Sequence, residues 1–244
     1  MSQTMEQTSV QTRIRQLTSL AGFIASVLAN LPFESVQYWL KNKTLLRKKL
    51  QEVFEVANDE FATVRAEWEK FYNDLDIAPL YLSDVVIPPK PTEGSWRLLF
   101  IPIGLTMNRM LAVMRAKFKV WTYHDDLDAS VTVNTRTSAT SYAVWVRTGA
   151  EPDEKYLGKS TRDADMDGKI GMTLLERQVL EVKHFVETGK YLDPVGVTYC
   201  TGSRRSDGYV PFMYFYPSSA EVCVHAYSVG HSDEASGLRS AVSL

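Results

Sequence analysis

Apolar residues at Ile14, Leu17, Ala21, Ile24, Leu28 and Leu31 recur at alternating intervals of three and four. That spacing lines one face of an amphipathic helix. Pro32 closes the pattern, because it lacks a backbone donor and restrains the residue before it. Val36, Trp39, Leu40, Leu46, Leu50, Val53 and Ala57 predict a second helix, and Phe61, Val64, Trp68, Phe71 and Leu75 a third. Residues 1–80 thus read as a helical bundle module. Two of the helices have near-heptad spacing, so there are two expectations for them: packing within one chain, or joining copies into a homo-oligomer. Lys41, Lys43, Arg47, Lys48 and Lys49 precede a run of acidic residues from Glu52 to Glu69, and the two signs can pair.

The pattern then changes. Residues 81–95 read as a linker, since Val85 to Ser95 carries three Pro and a Gly. Trp96 to Ile103 is a continuous apolar run and reads as a buried strand. Thr106 is placed to cap a helix with Met107, Met110, Leu111, Met114 and Phe118 on its inner face. Ser141 to Arg147 reads as a strand. In Thr173 to Lys190, Thr173 and Glu176 form a capping box, Leu175, Val179, Val182 and Val186 line one face, and Gly189 supplies the stop. Val195 to Cys200 reads as a strand, and shorter strands follow around Met213 to Tyr216 and Glu221 to Tyr227. The fold class expected is α+β, with a helical module followed by a sheet-bearing domain over 96–244.

Composition narrows the function. The chain is 45% hydrophobic and 23% charged, as in ordinary soluble domains, and its formal net charge of −2 gives no basic field for nucleic acid. No run approaches the roughly 18 apolar residues of a membrane span. The first residues lack the basic start and long apolar core of a signal peptide, so the default compartment is the cytoplasm. Two cysteines do not make a disulfide framework.

Candidate chemistry is sparse. Asp163 to Gly168, DADMDG, resembles the start of a calcium loop, but Leu174 stands where the bidentate carboxylate belongs. His124 and Asp125 make a His–Asp pair of the kind metal phosphohydrolases use, yet no earlier His exists to complete the ligand set. Cys223 and His225, two apart on a strand, could share a face as a thiolate pair. There is no Gly-x-Ser-x-Gly turn and no Gly-rich phosphate cradle. No metal or cofactor is expected, and no catalytic residue is assigned.

The segment Tyr209 to Ser236 is different. It holds four Tyr, two Phe, two His and five Ser, with no Lys or Arg. Tyr offers large amphipathic area at low entropic cost and Ser offers adaptable hydrogen bonding, as in antibody paratopes. Within it FMYFY sets five bulky residues in a row, so two or three aromatics point outward whichever face is buried.

The runs SYAVWVR, MTLLERQVLEVKHFVETGKYLD, VTYCTGSRRSDGYVP and LRSAVSL, with GLTMNRMLAVMRAKFKVWTYHDDLD before them, resemble a family of paralogous variable proteins from uncultured small-genome bacteria. These are targets of diversity-generating retroelements. The resemblance implies a C-type-lectin-like domain whose hypervariable residues face outward on a fixed scaffold and bind a ligand, expected to be a protein. GSRRSDG and LRSAVS match the framework around the variable part, about 203–238. The implied diversified positions are Tyr209, Phe212, Met213, Tyr214, Phe215, Tyr216, Ser218, Ser219, Glu221, His225, Tyr227, His231, Asp233 and Glu234. Val210, Pro211, Val222 and Val224 are implied scaffold. Arg204, Arg205 and Arg239 are expected to hold the edges of the site, with Asp207 as a carboxylate partner. The alternatives are an adhesin or phage-type receptor-binding protein without diversification, and an enzyme built on Cys223 with His225 or on a site near His124.

Overall fold

The computed structural model describes residues 30–46, 61–77, 82–166 and 171–244, and the isolated positions 18, 21, 22, 25 and 26. The helical pattern at Ile14–Leu31 except Ala21 and Leu31, the second helical pattern beyond Leu46, and Asp167 and Gly168 of the calcium-loop pattern lie outside the described residues. The chain divides into two compact units, residues 1–60 and 61–244. In the first, helix α1 (Phe33–Lys41) starts directly after Pro32, carries Glu34 in its first turn and Lys41 in its last, and has no buried residue. Those charges oppose the partial charges of the helix ends.

In the second unit, helix α2 (Ala62–Asp74) buries Trp68, Phe71 and Tyr72. Trp68 Nε1 donates to the Leu98 carbonyl at 3.1 Å and the Tyr72 hydroxyl to that of Phe100 at 2.6 Å. The helix that the sequence groups with residues 1–80 is therefore pinned to strand β1 (Trp96–Ile101). The proline-rich stretch between them packs here too. Val85 is buried, and the Pro88 carbonyl accepts from Trp145 Nε1 at 2.8 Å.

Helix α3 (Met107–Lys117) begins at Thr106, whose hydroxyl accepts from the Arg109 amide, and buries Met107, Met110, Leu111 and Met114. Next come β2 (Val120–Thr122), the short helix α4 (Leu127–Ser130), β3 (Val133–Asn134), β4 (Tyr142–Arg147) and the short helix α5 (Thr161–Met166). Helix α6 (Leu174–Thr188) shows both halves of the capping box, and Gly189 ends it with φ 66°. Only glycine takes that left-handed conformation without a Cβ penalty. The remaining strands are β5 (Val197–Tyr199), β6 (Ser203–Arg204), β7 (Val210–Tyr216), β8 (Glu221–Tyr227), β9 (Ser236–Leu238) and β10 (Ala241–Val242).

These strands make a three-stranded sheet in the order β1-β4-β10, a five-stranded sheet in the order β2-β8-β7-β5-β9, and the pair β3-β6. In the five-stranded sheet β8, β7 and β5 run antiparallel to their neighbours, while β2 and β9 join in parallel at its two edges. Helices and sheets share one core, so the fold is mixed α and β. Among the described residues no helix is long and apolar enough to cross a membrane.

A four-membered ionic network lies under the sheet. Arg177 on α6 pairs with Glu181 at 2.5 Å and with Asp193 at 2.7 Å, and Arg239 after β9 reaches the other oxygen of Asp193 at 3.0 Å. All four side chains are buried, so two guanidiniums and two carboxylates neutralise one another away from water. The Asp193 carbonyl also accepts from the Phe215 amide, which fixes β7 to the same point.

Candidate functional site

Side chains alternate across a strand, and partners in an antiparallel register share a face. β7 and β8 pair Val210 with Tyr227, Phe212 with His225, Tyr214 with Cys223 and Tyr216 with Glu221. Those eight residues therefore share one face. Pro211, Met213, Phe215, Val222, Val224 and Ala226 share the other. On the second face Met213, Val222 and Val224 join the core with Leu174 and Val179 of α6, and Phe215 stacks on Tyr191 at 4.1 Å and 6°. The FMYFY run thus splits: Met213 and Phe215 turn inward to the core, and Phe212, Tyr214 and Tyr216 turn the other way.

The first face is an aromatic surface. Trp121 is level with Cys223 in the β2–β8 register and stacks on His225 at 5.6 Å. His225 stacks on Phe212 at 5.5 Å, Phe212 on Tyr227 at 4.5 Å, and Tyr227 meets His231 at 4.0 Å. Tyr123 adds a contact to His225 at 5.2 Å. Trp121 is 42% exposed and Tyr123 60%, while Phe212 is 3% exposed at the base of the row. Val210 and Tyr199 form a small apolar cluster with Phe212, and Val229 of the following loop packs against it.

The other implied positions lie around this surface. Tyr209 and Tyr216 are exposed at opposite ends of β7. Ser218 and Ser219 occupy the β7–β8 turn, where Ala220 takes φ 52°. The Ser219 hydroxyl donates to Glu221 at 2.6 Å, and that bond, with Lys119 at 3.2 Å, holds the Glu221 carboxyl below its ordinary range. Asp233 and Glu234 are exposed in the loop after His231. Of the fourteen implied positions, Met213 and Phe215 are on the core face. Of the implied scaffold, Pro211, Val222 and Val224 lie on the core face, and Val210 is buried at the foot of the aromatic face.

Both framework segments are tied into the fold. The Ser203 hydroxyl accepts from the Leu174 amide at 2.9 Å and donates to Asn134 at 2.6 Å. A Cβ on Gly202 would stand 2.9 Å from the Gly171 carbonyl, so only glycine fits there. Gly237, Leu238 and Arg239 are buried. Arg204 donates to the Thr201 carbonyl at 2.7 Å. Arg239 pairs with Asp193 rather than Asp207, and Asp207 instead takes Arg205 at 2.8 Å on the surface.

The candidate catalytic groups have other settings. Cys223 is buried, and burial pushes its thiol up, opposed in part by a hydrogen bond with Tyr214. Burial likewise pushes the Tyr214 hydroxyl up to about 12. His225 Nδ1 accepts from the Ala226 amide at 2.7 Å, and its ring lies between Trp121 and Phe212. Asp125 is paired with Arg115 at 3.0 Å. Asp163, the first residue of the calcium-loop pattern, accepts from the Ser160 amide and hydroxyl. Among the described residues no group of three or more His, Cys, Asp and Glu is placed to hold a metal ion.

Trp121 and Tyr123 belong to this surface but escaped the sequence reading, which attended to the neighbouring His–Asp pair. The available signal was the pairing of a short VWTY run with exposed aromatics, and it became visible only once β2 was placed beside β8. Searches of protein-family models, curated proteins and solved structures return no match to this chain.

Proposed function

We propose that the chain is a non-enzymatic binding protein that recognises its ligand with the aromatic face of β2, β8 and β7. The carrying observation is the alternation along β7 and β8. It turns Phe212, Tyr214, Tyr216, His225 and Tyr227 to one side and gives the other side to the core. An exposed cluster rich in Tyr, Trp and His, resting on a sheet fixed by a buried ionic network, suits recognition by preorganised contact.

The reading extends to the scaffold and the gene. The sheet-bearing unit is a C-type-lectin-like domain that follows an N-terminal helical module, and the segment of about 203–238 is diversified by a retroelement. Support comes from the sequence resemblance, and from the framework residues that are buried and hydrogen-bonded, Gly202 and Ser203 before the segment and Leu238 and Arg239 after it. The test is genomic. A near-copy of the last ~120 bases, differing mainly at adenines, should lie close to the gene beside a reverse transcriptase. Codons that differ should fall at outward positions such as Tyr209, Tyr214, Tyr216 and Tyr227. If the locus has neither feature, diversification is refuted and a plain binding protein remains.

A further inference from the structure

The aromatic face has two origins in the chain. Phe212, Tyr214, Tyr216, His225 and Tyr227 stand on the β7–β8 hairpin, inside the segment of about 203–238. Trp121 and Tyr123 reach the same face from β2 and its end, far outside that segment. The backbone that carries them is held independently of the hairpin's outer side chains. Val120 packs against the core, which turns Trp121 to the aromatic face level with Cys223. The Lys119 carbonyl accepts from the Val222 amide at 3.0 Å, and the Tyr123 amide donates to the Val224 carbonyl at 3.3 Å. These bonds to β8 are made by backbone groups, so a change of side chain on its outer face leaves β2 in place. Before β2, Phe118 at the end of α3 is buried against Phe185 and Tyr191. After it, Asp126 caps α4 and takes the Asn108 side chain of α3 at 2.8 Å.

The two rings are also well placed to meet a partner. Tyr123 is more exposed than Tyr209, Tyr216 or Tyr227, and of the five Trp only Trp121 is exposed. Both touch His225, at 5.6 and 5.2 Å, so a partner resting on the hairpin rings meets them as well. Trp and Tyr are the residue types richest in binding hot spots. Shape and charge narrow the partner. The cleft that touches Tyr123 and His225 holds about 10 Å³, room for one water. The larger clefts around Arg136, of about 530 and 190 Å³, contain none of the rings of this face. A small-molecule site is concave and encloses some hundreds of Å³. Tyr209 to Ser236 has no Lys or Arg to meet a phosphate backbone. An open face of Tyr and Trp matches the fully buried centre of a protein–protein interface.

We propose that Trp121 and Tyr123 are a constant anchor for protein partners. They contribute to every complex this face makes, while the outer side chains of β7 and β8 decide which protein is taken. The inference rests on the reading of the aromatic face as the recognition surface.

The test displays the full chain with Tyr209, Tyr214, Tyr216, His225 and Tyr227 randomised and selects binders to lysozyme, streptavidin and ovalbumin separately. In binders to all three, Trp121→Ala should weaken binding at least about tenfold and Tyr123→Ala at least about threefold. Trp121→Phe should keep most of the affinity. Exchanging the randomised residues between binders should exchange the target. Urea curves of each variant separate loss of fold from loss of recognition, and Tyr123→Ala carries the test if Trp121→Ala does not fold. Binders that respond to their randomised residues yet stay within about twofold in both β2 variants would overturn the anchor and leave the surface standing. Dependence on Trp121 and Tyr123 for one target alone would do the same. Binders indifferent to the randomised and the β2 residues alike, or a library that yields no binder, would overturn both.

Discussion

The two faces of the five-stranded sheet are built from the same two strands and do opposite work. On the core face Met213, Val222 and Val224 are buried against α6, and Phe215 is stacked on Tyr191. On the other, Phe212 alone of the β7 aromatics is buried, and the surface grows outward from it through His225, Tyr227, Tyr214 and Tyr216. The difference shows how two strands can carry a core and an aromatic surface at once: a period of two gives one residue to the core and the next to the other face.

The largest expected effect lies beneath the core face. Asp193→Asn leaves two buried guanidiniums facing the single carboxylate of Glu181, and removing one partner from a buried ionic group costs about 3–5 kcal/mol. Urea unfolding should show that loss, and a loss below about 1 kcal/mol would mean the network does not anchor β7. Met213→Ala comes next. It opens a cavity in the core and should cost about 2–5 kcal/mol by the same measurement.

Alkali tests the boundary between the faces through the cysteines. Burial pushes the Cys200 thiol up to about 12 and raises that of Cys223. An acid whose folded pKa is raised is favoured in its neutral form, so its contribution is intact below the unfolded value of about 8.5. It is lost as pH climbs from there toward the folded value. Stability should therefore decline above about pH 9. Ellman's reagent at pH 8 should label neither thiol in the native protein and both after guanidinium. Trp121→Ala should expose Cys223 and speed its labelling specifically.

The smallest expected effects are on the aromatic face. Tyr216→Ala and Tyr227→Ala remove exposed rings and should change stability within about 0.5 kcal/mol. A cost as large as that of Met213→Ala, read from the same urea curves, would place these rings in the core and dissolve the comparison.

Local signals were legible in the sequence because local chemistry creates them. Thr173 and Glu176 satisfy each other's open amides, Thr106 caps α3, and Gly189 takes the left-handed turn that its type permits. The composition of Tyr209 to Ser236 marked the candidate surface for the same reason. Long-range placement was not legible. Helix α2 has the same apolar period whether it packs on another helix or on β1, and only the Trp68 and Tyr72 bonds to β1 carbonyls reveal which. Phase was also hidden: FMYFY announces outward aromatics, but the β7–β8 register was needed to separate Phe212, Tyr214 and Tyr216 from Met213 and Phe215. Trp121 and Tyr123 reach the surface from a strand some hundred residues earlier, through a parallel pairing that no local pattern reports.

The most direct measurement is a saturation scan of codons 209–227, with the displayed chain sorted for resistance to protease. The account predicts tolerance at Tyr209, Tyr214, Tyr216, His225 and Tyr227, and intolerance at Pro211, Met213, Phe215, Val222 and Val224. That is a period of two along both strands, broken at Phe212 and Val210, which are buried on the aromatic side, and at Tyr209, which has the phase of the core face but precedes β7 and is exposed. Tolerance at Met213 and Val224, or intolerance at Tyr214, Tyr216 and Tyr227, would contradict it.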